Sequence, residues 1–511
     1  MASTKRFAFN VSMNWAAMAV SMVVPFFLTP FVVRHLGPTA YGIWILAVST
    51  VSYLNLLDLG LRSAVIRFVS KATAQERLGD ATSAIGAALW FRLIVAAGVS
   101  VLSICLSLAF PHLFKIPQDL QHAGQITVLL CALGVGITLV SGVFGAVLAA
   151  INRFDILSSV TMVQTSARAV GVLLILRSGR GLVTLAYWEL TVVFLSGLLT
   201  CAIALKMFPP CRVPIARPDM KVVKMIWAYS FTTFIFMIAV QLIVNTDNLI
   251  VGAFLTVGLV TSYTIGSSLI NYASQVVGAL STTFTPLASG LEASGKAGDL
   301  QTLLLRGTQA TLGLALPIGI TLLFRGRTFI SLWMGPQYSQ ISGTILQILM
   351  ISLYFSVADS TAGSIMMAID KHKPVARWAV LEAVLNLGLT LFLVRIIGIY
   401  GVALGTSIAM TFVHLAFWPR YVKEVLGVPV RKFVWDGWLK ITLCSLPFAA
   451  VCAATDRYWH APNLVLFFGQ VLSTLPVYAV CALIVFRGDV RNLYQRWQSS
   501  RPVQAESSSV V

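Results

Sequence analysis

The sequence predicts an all-α integral membrane protein with about fourteen transmembrane helices. Of its 511 residues, 58% are hydrophobic and only 11% are charged, whereas an ordinary soluble domain is about 25% charged. A chain with so few charged side chains cannot cover a water-facing surface, so most of it must face lipid. Long apolar runs separated by short basic segments point to the same class.

Fourteen runs are long and apolar enough to cross a bilayer, which requires about 20 residues of helix. They lie near residues 11–33, 42–61, 83–109, 123–151, 156–176, 182–205, 225–252, 258–286, 304–324, 342–369, 375–394, 399–419, 438–454 and 464–486. The first run follows Lys5 and Arg6 and is too long for the core of a signal peptide, so it is taken as the first span. The thirteenth run is short and contains Pro447.

The distribution of lysine and arginine predicts the orientation. With the N-terminus inside, 26 of the 36 Lys and Arg residues fall in cytoplasmic segments, 8 in loops on the opposite side and 2 well within spans. This count assigns Arg306, Arg377 and Lys440, which lie at the cytoplasmic ends of their spans, to the adjacent cytoplasmic segments. Because cytoplasmic segments carry the excess of cations, both termini are predicted to be cytoplasmic. The same clusters account for the net charge of +18, so no nucleic-acid partner is expected.

A weak internal repeat predicts how the spans are grouped. Residues 149–176 can be aligned with residues 367–394, which pairs spans one to six with spans seven to twelve in the same orientation. Substrate is then expected between the halves. The predicted segments are a cytoplasmic N-tail (1–10), a six-helix bundle (11–205), a cytoplasmic linker (206–224), a second six-helix bundle (225–422), two additional helices (423–486) and a partly disordered cytoplasmic tail (487–511).

The short loops and the cysteine pattern argue against a catalytic site. No predicted loop is long enough to hold a soluble catalytic domain, and the seven cysteines have neither metal-ligand nor disulfide spacing. We therefore expect a protein that is not an enzyme and that needs no metal and no cofactor.

Residues 34–71, RHLGPTAYGIWILAVSTVSYLNLLDLGLRSAVIRFVSK, resemble the N-terminal signature of the bacterial polysaccharide-transport family. The matching parts are the Leu-Gly-x-x-x-Tyr-Gly turn at 36–42, the Asp-Leu-Gly-Leu segment at 58–61 and the Arg-Phe pair at 67–68. The segment FISLWMGPQY at 329–338 resembles a second family element. These proteins are flippases for undecaprenyl-pyrophosphate-linked O-antigen and exopolysaccharide repeat units, within the multidrug/oligosaccharidyl-lipid/polysaccharide exporter superfamily.

The resemblance implies a secondary transporter of the bacterial inner membrane, with two six-helix bundles forming a V around a central cavity. By ion-coupled alternating access, such a protein moves a lipid-linked oligosaccharide from the cytoplasmic to the periplasmic leaflet. Its partners are then that substrate, membrane lipid, and a polysaccharide polymerase with chain-length proteins. Two alternatives stay open: a multidrug or lipid II exporter of the same superfamily, and a membrane polysaccharide polymerase or ligase.

Two arginines inside predicted spans, Arg92 and Arg168, are the main candidates for substrate binding. A charge inside a membrane costs at least about 2.5–3.5 kcal/mol on insertion scales and usually faces a partner or a wet cavity. A guanidinium binds phosphate bidentately and stays ionised, which suits a pyrophosphate-linked lipid. The alternative is an internal ion pair, for example with Glu189 or Asp247, that only holds helices together.

A polar stripe is predicted in the seventh span. Gln241, Asn245 and Asp247, with Asn248, lie on neighbouring turns of one helix. The stripe is predicted to line the cavity and to hydrogen-bond sugar hydroxyls. The alternative is that these side chains only join one helix to another.

Three further carboxylates are candidates for ion coupling, because a carboxyl group buried in a membrane can carry a proton. They are Glu189, Asp359 and Glu382, and for each the alternative is a purely structural role. His414 lies on an apolar face and is expected to be a packed, hydrogen-bonded histidine.

A cytoplasmic phosphate gate is predicted where the second span ends. Asp58 is followed by the cations Arg62 and Arg67. Asp58 is placed to pair with Arg62 one helical turn later, and the two arginines are placed to meet a phosphate arriving from the inner leaflet. The alternative is that both arginines only anchor the helix end among the lipid headgroups.

Overall fold

A computed structural model describes residues 2–211 and 220–499, with side chains for residues 9–211 and 236–483. All regular secondary structure in these residues is helical, which confirms the predicted all-α class. Residues 212–219 of the predicted linker and residues 500–511 of the predicted tail lie outside the described residues.

The helices are numbered in chain order. They are α1 (Ala2–Ser52), α2 (Leu61–Ala74), α3 (Leu78–Leu113), α4 (Gln118–Ala150), α5 (Phe154–Arg177), α6 (Leu182–Met207), α7 (Met220–Phe254), α8 (Val257–Thr282), α9 (Phe284–Ala293), α10 (Ala297–Trp333), α11 (Pro336–Ala368), α12 (Lys373–Ile397), α13 (Ile399–Leu426), α14 (Val430–Lys432), α15 (Lys440–Cys444), α16 (Leu446–Tyr458) and α17 (Leu464–Ser499). Short 3-10 turns occupy Tyr53–Asp58 and Pro209–Cys211, and a π-helical turn occupies Phe433–Leu439.

Twelve helical stretches of the described chain are long and apolar enough to cross a membrane. The first of them, Phe9–Ala74, has 66 residues. As one straight helix it would be about 99 Å long, roughly three times the ~30 Å hydrocarbon core, so it holds more than one crossing. Helix α8 coincides with the predicted eighth span but is not among the twelve. About fourteen therefore stands as an approximate count.

The first stretch is broken twice. Gly37, with φ 78°, separates two helical parts of α1, where the sequence predicts the loop between the first two spans. The second break is at Leu59 (φ 50°) and Gly60 (φ 72°), a left-handed conformation that costs glycine little but strains leucine. The break falls at the predicted end of the second span near residue 61, and the chain then continues as a separate helix, α2, to Ala74.

The chain packs into two compact units. One comprises Met1–Ser268 and Pro374–Ala409, and the other comprises Leu269–Lys373 and Met410–Val511. These limits differ from those of the predicted bundles, whose division into six plus six helices stays a prediction.

Small residues let the helices of the first unit approach one another closely. Ala64 in α2, Ala81 in α3 and Ala146 in α4 are fully buried in one cluster, as expected where van der Waals packing drives helix association in a membrane. The cluster extends to Cys211, beyond the end of α6. Burial raises the pKa of the Cys211 thiol to about 12, so it stays protonated and unreactive at neutral pH.

In the second unit, the C-terminal helices α16 and α17 pack on α10. Thr328 in α10 donates a hydrogen bond to the Asp456 carboxylate at 2.8 Å. Tyr478 in α17 donates to the carbonyl oxygen of Gly313 at 2.7 Å. The two additional helices predicted at 423–486 are therefore joined to α10 by polar contacts as well as by apolar packing.

Arg325 lies at the centre of this packing. The sequence places Arg325 in an outside loop after a span that ends at residue 324. This prediction is wrong, because α10 continues to Trp333 and the Arg325 side chain is buried. Its Nη2 donates to the Gln470 amide oxygen, and its guanidinium lies 4.5 Å from the centre of the Phe467 ring. Arg325, which the sequence places in a loop, therefore forms a buried contact between α10 and α17.

Candidate functional site

The candidate site is an ion pair between α5 and α6 of the first unit. Arg168 Nε donates to Glu189 Oε2, and Arg168 Nη2 donates to Glu189 Oε1, both at 2.6 Å. Two parallel bonds between a guanidinium and a carboxylate are the strongest form of this contact. The Arg168 side chain is 39% exposed and that of Glu189 is 19% exposed. This is the pair that the sequence offers as the alternative to a free Arg168.

Close packing of α5 against α6 beside the ion pair fixes the backbone positions of Arg168 and Glu189. Trp188 Nε1 donates to the carbonyl oxygen of Ala167 at 3.3 Å, and these residues directly precede Glu189 and Arg168. A Cβ atom at Gly171 would lie 1.9 Å from Trp188 Nε1, so glycine is needed for this approach. Helices α5 and α6 therefore hold the guanidinium and the carboxylate in register.

The ion pair lines a cavity of about 440 Å³. This volume falls within the range of roughly 300–1,000 Å³ that is typical of small-molecule sites. Beside the pair, the polar walls are formed by Ser52, Asn55, Thr138 and Gln164, the aromatic wall is formed by Trp44, and the other lining residues are largely apolar. Such a cavity can hold an anionic group on the guanidinium and hydrogen-bond hydroxyl groups beside it.

The second candidate arginine is paired elsewhere in the first unit. Arg92 in α3 is 2% exposed, and its Nη2 contacts Asp58 Oδ1. The predicted pair between Asp58 and Arg62 is wrong, because Asp58 contacts Arg92 and Arg62 is exposed on α2. A pair four residues apart requires a continuous helical turn, which the break at Leu59 interrupts. Neither Arg92 nor Asp58 lines the cavity described above.

The remaining gate residue, Arg67, is also exposed on α2. With Arg62, it presents cations on the outer face of that helix. The contact of these two arginines with a phosphate stays a prediction.

Asp247 is buried in a hydrogen-bonded cluster of the first unit. Its Oδ2 accepts from Tyr263 at 2.5 Å and from Thr406 at 2.8 Å. Asn386 in turn donates to Thr406 at 3.2 Å. Among the described residues, Asp247 Oδ1 and Asn386 Oδ1 are buried without a hydrogen-bond partner. Both are buried acceptor oxygens without a donor, and the one on the carboxylate can take up a proton.

The rest of the predicted polar stripe contacts α1. Gln241 donates to Ser52, and Asn248 donates to Ser49 at 3.2 Å. Asn245 is half-buried. These bonds join α7 to α1, which is the role that the sequence offers as the alternative. Gln241 is nevertheless next to the cavity, because its partner Ser52 is one of the lining residues. Binding of sugar hydroxyls by this stripe therefore stays a prediction.

The three ion-coupling candidates lie in different environments. Glu189 belongs to the cavity, and Glu382 in α12 is buried in the first unit. In the second unit, Asp359 is buried with its Oδ2 2.9 Å from His414 Nδ1. His414 is therefore a hydrogen-bonded histidine, as predicted, whereas the coupling roles of the three carboxylates stay predictions. Within residues 9–211 and 236–483, no group of three or more His, Cys, Asp or Glu side chains could hold a metal ion.

Sequence reasoning missed four residues of these sites: Trp44, Gly171, Tyr263 and Thr406. Their roles depend on contacts with distant parts of the chain, such as the 159 residues between Asp247 and Thr406. A threonine in an apolar span is a signal, but these spans hold too many for one to be selected.

Comparison with known proteins gives a family and several relatives. A family model described as "Polysaccharide biosynthesis protein" matches residues 31–343. The chain is 24% identical over 445 residues to "Uncharacterized membrane protein EpsK" of Bacillus subtilis (strain 168), covering 84% of this chain and 85% of that protein. It is 23% identical over 395 residues to "Putative O-antigen transporter" of Shigella flexneri, covering 74% and 88%.

Solved structures share the fold. The lipid II flippase MurJ in its inward closed conformation is similar over 93% of this chain and 99% of that chain, with a TM-score of 0.73 and 19% identity. A multidrug resistance MATE family transporter of the MOP superfamily, inward-facing, is similar over 83% and 95%, with a TM-score of 0.61 and 15% identity. The chain therefore has the all-α fold of these transporters.

Proposed function

Because the chain belongs to the polysaccharide biosynthesis protein family, we propose that it is a flippase for lipid-linked oligosaccharides. It moves undecaprenyl-pyrophosphate-linked repeat units from the cytoplasmic to the periplasmic leaflet of the bacterial inner membrane. The product supplies a surface polysaccharide, such as exopolysaccharide, O-antigen or capsule. The transporter fold and the relative named as an O-antigen transporter support this proposal.

One observation carries the proposal furthest, namely the Arg168–Glu189 pair in a cavity with hydrogen-bonding walls. A pyrophosphate-linked headgroup needs charge compensation when it leaves water. A guanidinium such as that of Arg168 can bind phosphate through two parallel, charge-assisted bonds. Amide side chains such as Asn55 and Gln164 both donate and accept hydrogen bonds, which suits the hydroxyl groups of a sugar.

Ion coupling drives the transport in one direction. Asp247 joins Glu189, Asp359 and Glu382 as a candidate, because its buried Oδ1 has no donor among the described residues. Uptake of a proton or a sodium ion there changes the charge of the α7–α8 packing, and a transporter can use such a change to favour one conformation.

Two other functions fit less well. A multidrug or lipid II exporter has the same fold. If the protein had one of these functions, however, a deletion strain would not be expected to lose its surface polysaccharide. A polysaccharide polymerase or ligase makes and breaks glycosidic bonds, and the relatives' names give no support for such a step. The proposed flippase forms no covalent intermediate.

The lipid-linked glycan pool in a deletion strain tests the proposal. Loss of the protein should leave repeat units on the cytoplasmic leaflet and abolish surface polysaccharide. Wild type and Arg177→Ala should restore it, since Arg177 lies exposed at the end of the same helix as Arg168. Arg168→Ala should not restore surface polysaccharide. Failure of Arg92→Ala to restore it would be consistent with a contact between Arg92 and the substrate. Normal crossing of repeat units that then stay unpolymerised would instead identify a polymerase.

A further inference from the structure

We propose that Arg168 and Glu189 form an exchangeable ion pair: an arriving phosphate group replaces the Glu189 carboxylate on the Arg168 guanidinium, and the released carboxylate takes up a proton. This inference rests on the proposed flippase function and adds how substrate binding and proton movement are linked at one site. The only covalent change is a proton transfer: one O–H bond of a hydronium ion in the cavity breaks and one O–H bond forms on Glu189, which leaves a neutral water molecule. The net change is uptake of one proton from the solvent.

The hydrogen-bond geometry requires an exchange wherever phosphate binds the guanidinium edge that Glu189 now occupies. Glu189 occupies Nε and Nη2 of Arg168, each at 2.6 Å. That edge of the guanidinium is one that binds two phosphate oxygens in parallel. A phosphate that binds there must displace the carboxylate, whereas a phosphate on the opposite edge would leave the pair intact and move no proton.

Both partners can be reached from the cavity. The pair contributes to the cavity wall, and neither side chain is fully buried. The backbones of α5 and α6 cannot easily move apart, because Trp188 of α6 donates a hydrogen bond to the Ala167 carbonyl oxygen and packs against α5 at Gly171. Exchange therefore proceeds by rotation of the Arg168 and Glu189 side chains between two packed helices.

The surroundings of Glu189 explain why its release brings a proton. The titratable groups that face it are Arg168 from α5 and Cys131 from α4. The α1 segment and the turn after it contribute only uncharged side chains to the cavity wall, among them Trp44, Ser52 and Asn55. Once phosphate neutralises Arg168, a carboxylate in this half-buried site would have no cation beside it and would repel the phosphate. Protonation removes one negative charge.

Binding of inorganic pyrophosphate to the purified full-length protein tests the exchange. Titration calorimetry in two buffers of different protonation enthalpy gives both the affinity and the number of protons taken up. Glu189→Gln removes the competing charge and the proton acceptor but keeps the shape. We expect it to bind pyrophosphate about tenfold more tightly or better, since a hydrogen bond between charged groups no longer has to be broken. It should also take up about one proton fewer than wild type.

Three further variants complete the test. Glu189→Asp keeps a titratable carboxyl but loosens the pair, so it should bind more tightly than wild type and still take up the proton. Arg168→Ala should lose pyrophosphate binding. Arg177→Ala, on the same helix but outside the cavity, should match wild type. Equal affinity and equal proton uptake in wild type and Glu189→Gln would overturn the exchange, as would a wild type that flips its substrate without binding pyrophosphate.

Flipping in proteoliposomes separates this proposal from the one it rests on. If wild type moves lipid-linked oligosaccharide and a proton gradient that is acidic on the substrate-loading side accelerates wild type but not Glu189→Gln, the exchange is supported. If both respond to the gradient equally, the exchange fails and the flippase function stands. If wild type moves no substrate although pyrophosphate binding shows the proton difference, the flippase function fails and the exchange stands.

Discussion

A charged side chain inside a membrane-spanning helix needs compensation, and Arg92, Arg168 and Arg325 obtain it in different ways. Arg92 meets the carboxylate of Asp58 where little solvent reaches. Arg168 meets Glu189 at the edge of a cavity. Arg325 meets the Gln470 amide oxygen and the Phe467 ring, and it also interacts electrostatically with the Asp456 carboxylate. Exposure to a cavity distinguishes the Arg168–Glu189 pair, which we propose for substrate binding, from Arg92 and Arg325, which do not line that cavity.

The Asp58–Arg92 pair is expected to contribute to stability. Asp58→Ala should lower the unfolding free energy by about 3 kcal/mol, because it leaves a buried guanidinium unpaired. Arg92→Met should cost less, since Asp58 is 22% exposed and its carboxylate can be solvated. Thermal unfolding in detergent measures both. A double variant that is less stable than Asp58→Ala alone would contradict this account.

The Asp247 cluster is expected to control ion coupling. Asp247→Asn removes the only negative charge of the cluster formed with Tyr263, Thr406 and Asn386. Flipping in proteoliposomes should then lose its acceleration by a sodium or proton gradient. Tyr263→Phe, which removes one donor but keeps the carboxylate, should weaken the acceleration only in part. Unchanged acceleration in Asp247→Asn would exclude this carboxylate.

Among the helices, the packing of α5 against α6 has the clearest consequence. An added methyl group at Gly171 would collide with the Trp188 indole, which would have to move and give up its bond to Ala167. Gly171→Ala should therefore destabilise the protein by about 1–3 kcal/mol and should weaken pyrophosphate binding by shifting Arg168. Thermal unfolding and calorimetry test these effects.

Gly142→Ala in α4 is the matched control for this substitution. A Cβ atom there meets nothing within 4 Å, and alanine is the better helix former. It should be neutral or slightly stabilising. Equal stability of the two variants would show that the indole moves aside freely and that the close approach of α5 and α6 is not needed.

For the whole molecule, the orientation in the membrane stays a prediction from the sequence. The cation distribution places both termini and the turn near Lys296 in the cytoplasm and the turn at Arg180 on the opposite side. Fusions truncated after residue 180 should show alkaline phosphatase activity. Fusions at residues 296 and 511 should show fluorescence of green fluorescent protein instead. The reverse pattern would invert the proposed direction of transport.

Much of this protein follows from its sequence alone. Apolar runs of membrane length determine the helices, because a bilayer leaves no other way to satisfy backbone hydrogen bonds over such a segment. The segment at 34–71 indicates the family that residues 31–343 confirm. The charges in the spans correctly mark Arg92, Arg168 and Asp247 as residues that need compensation.

The tertiary structure alone decided which partner each of these residues has. Helical periodicity shows which residues share a face, but not which face of another helix meets it, and lipid-facing and helix-facing surfaces are equally apolar. Asp58 therefore pairs with Arg92 rather than with its neighbour Arg62, because a left-handed break interrupts the helix between them. Thr406 contacts Asp247 although 159 residues separate them in the sequence. A contact of this kind depends on how whole helices pack, which the sequence pattern of each helix does not show.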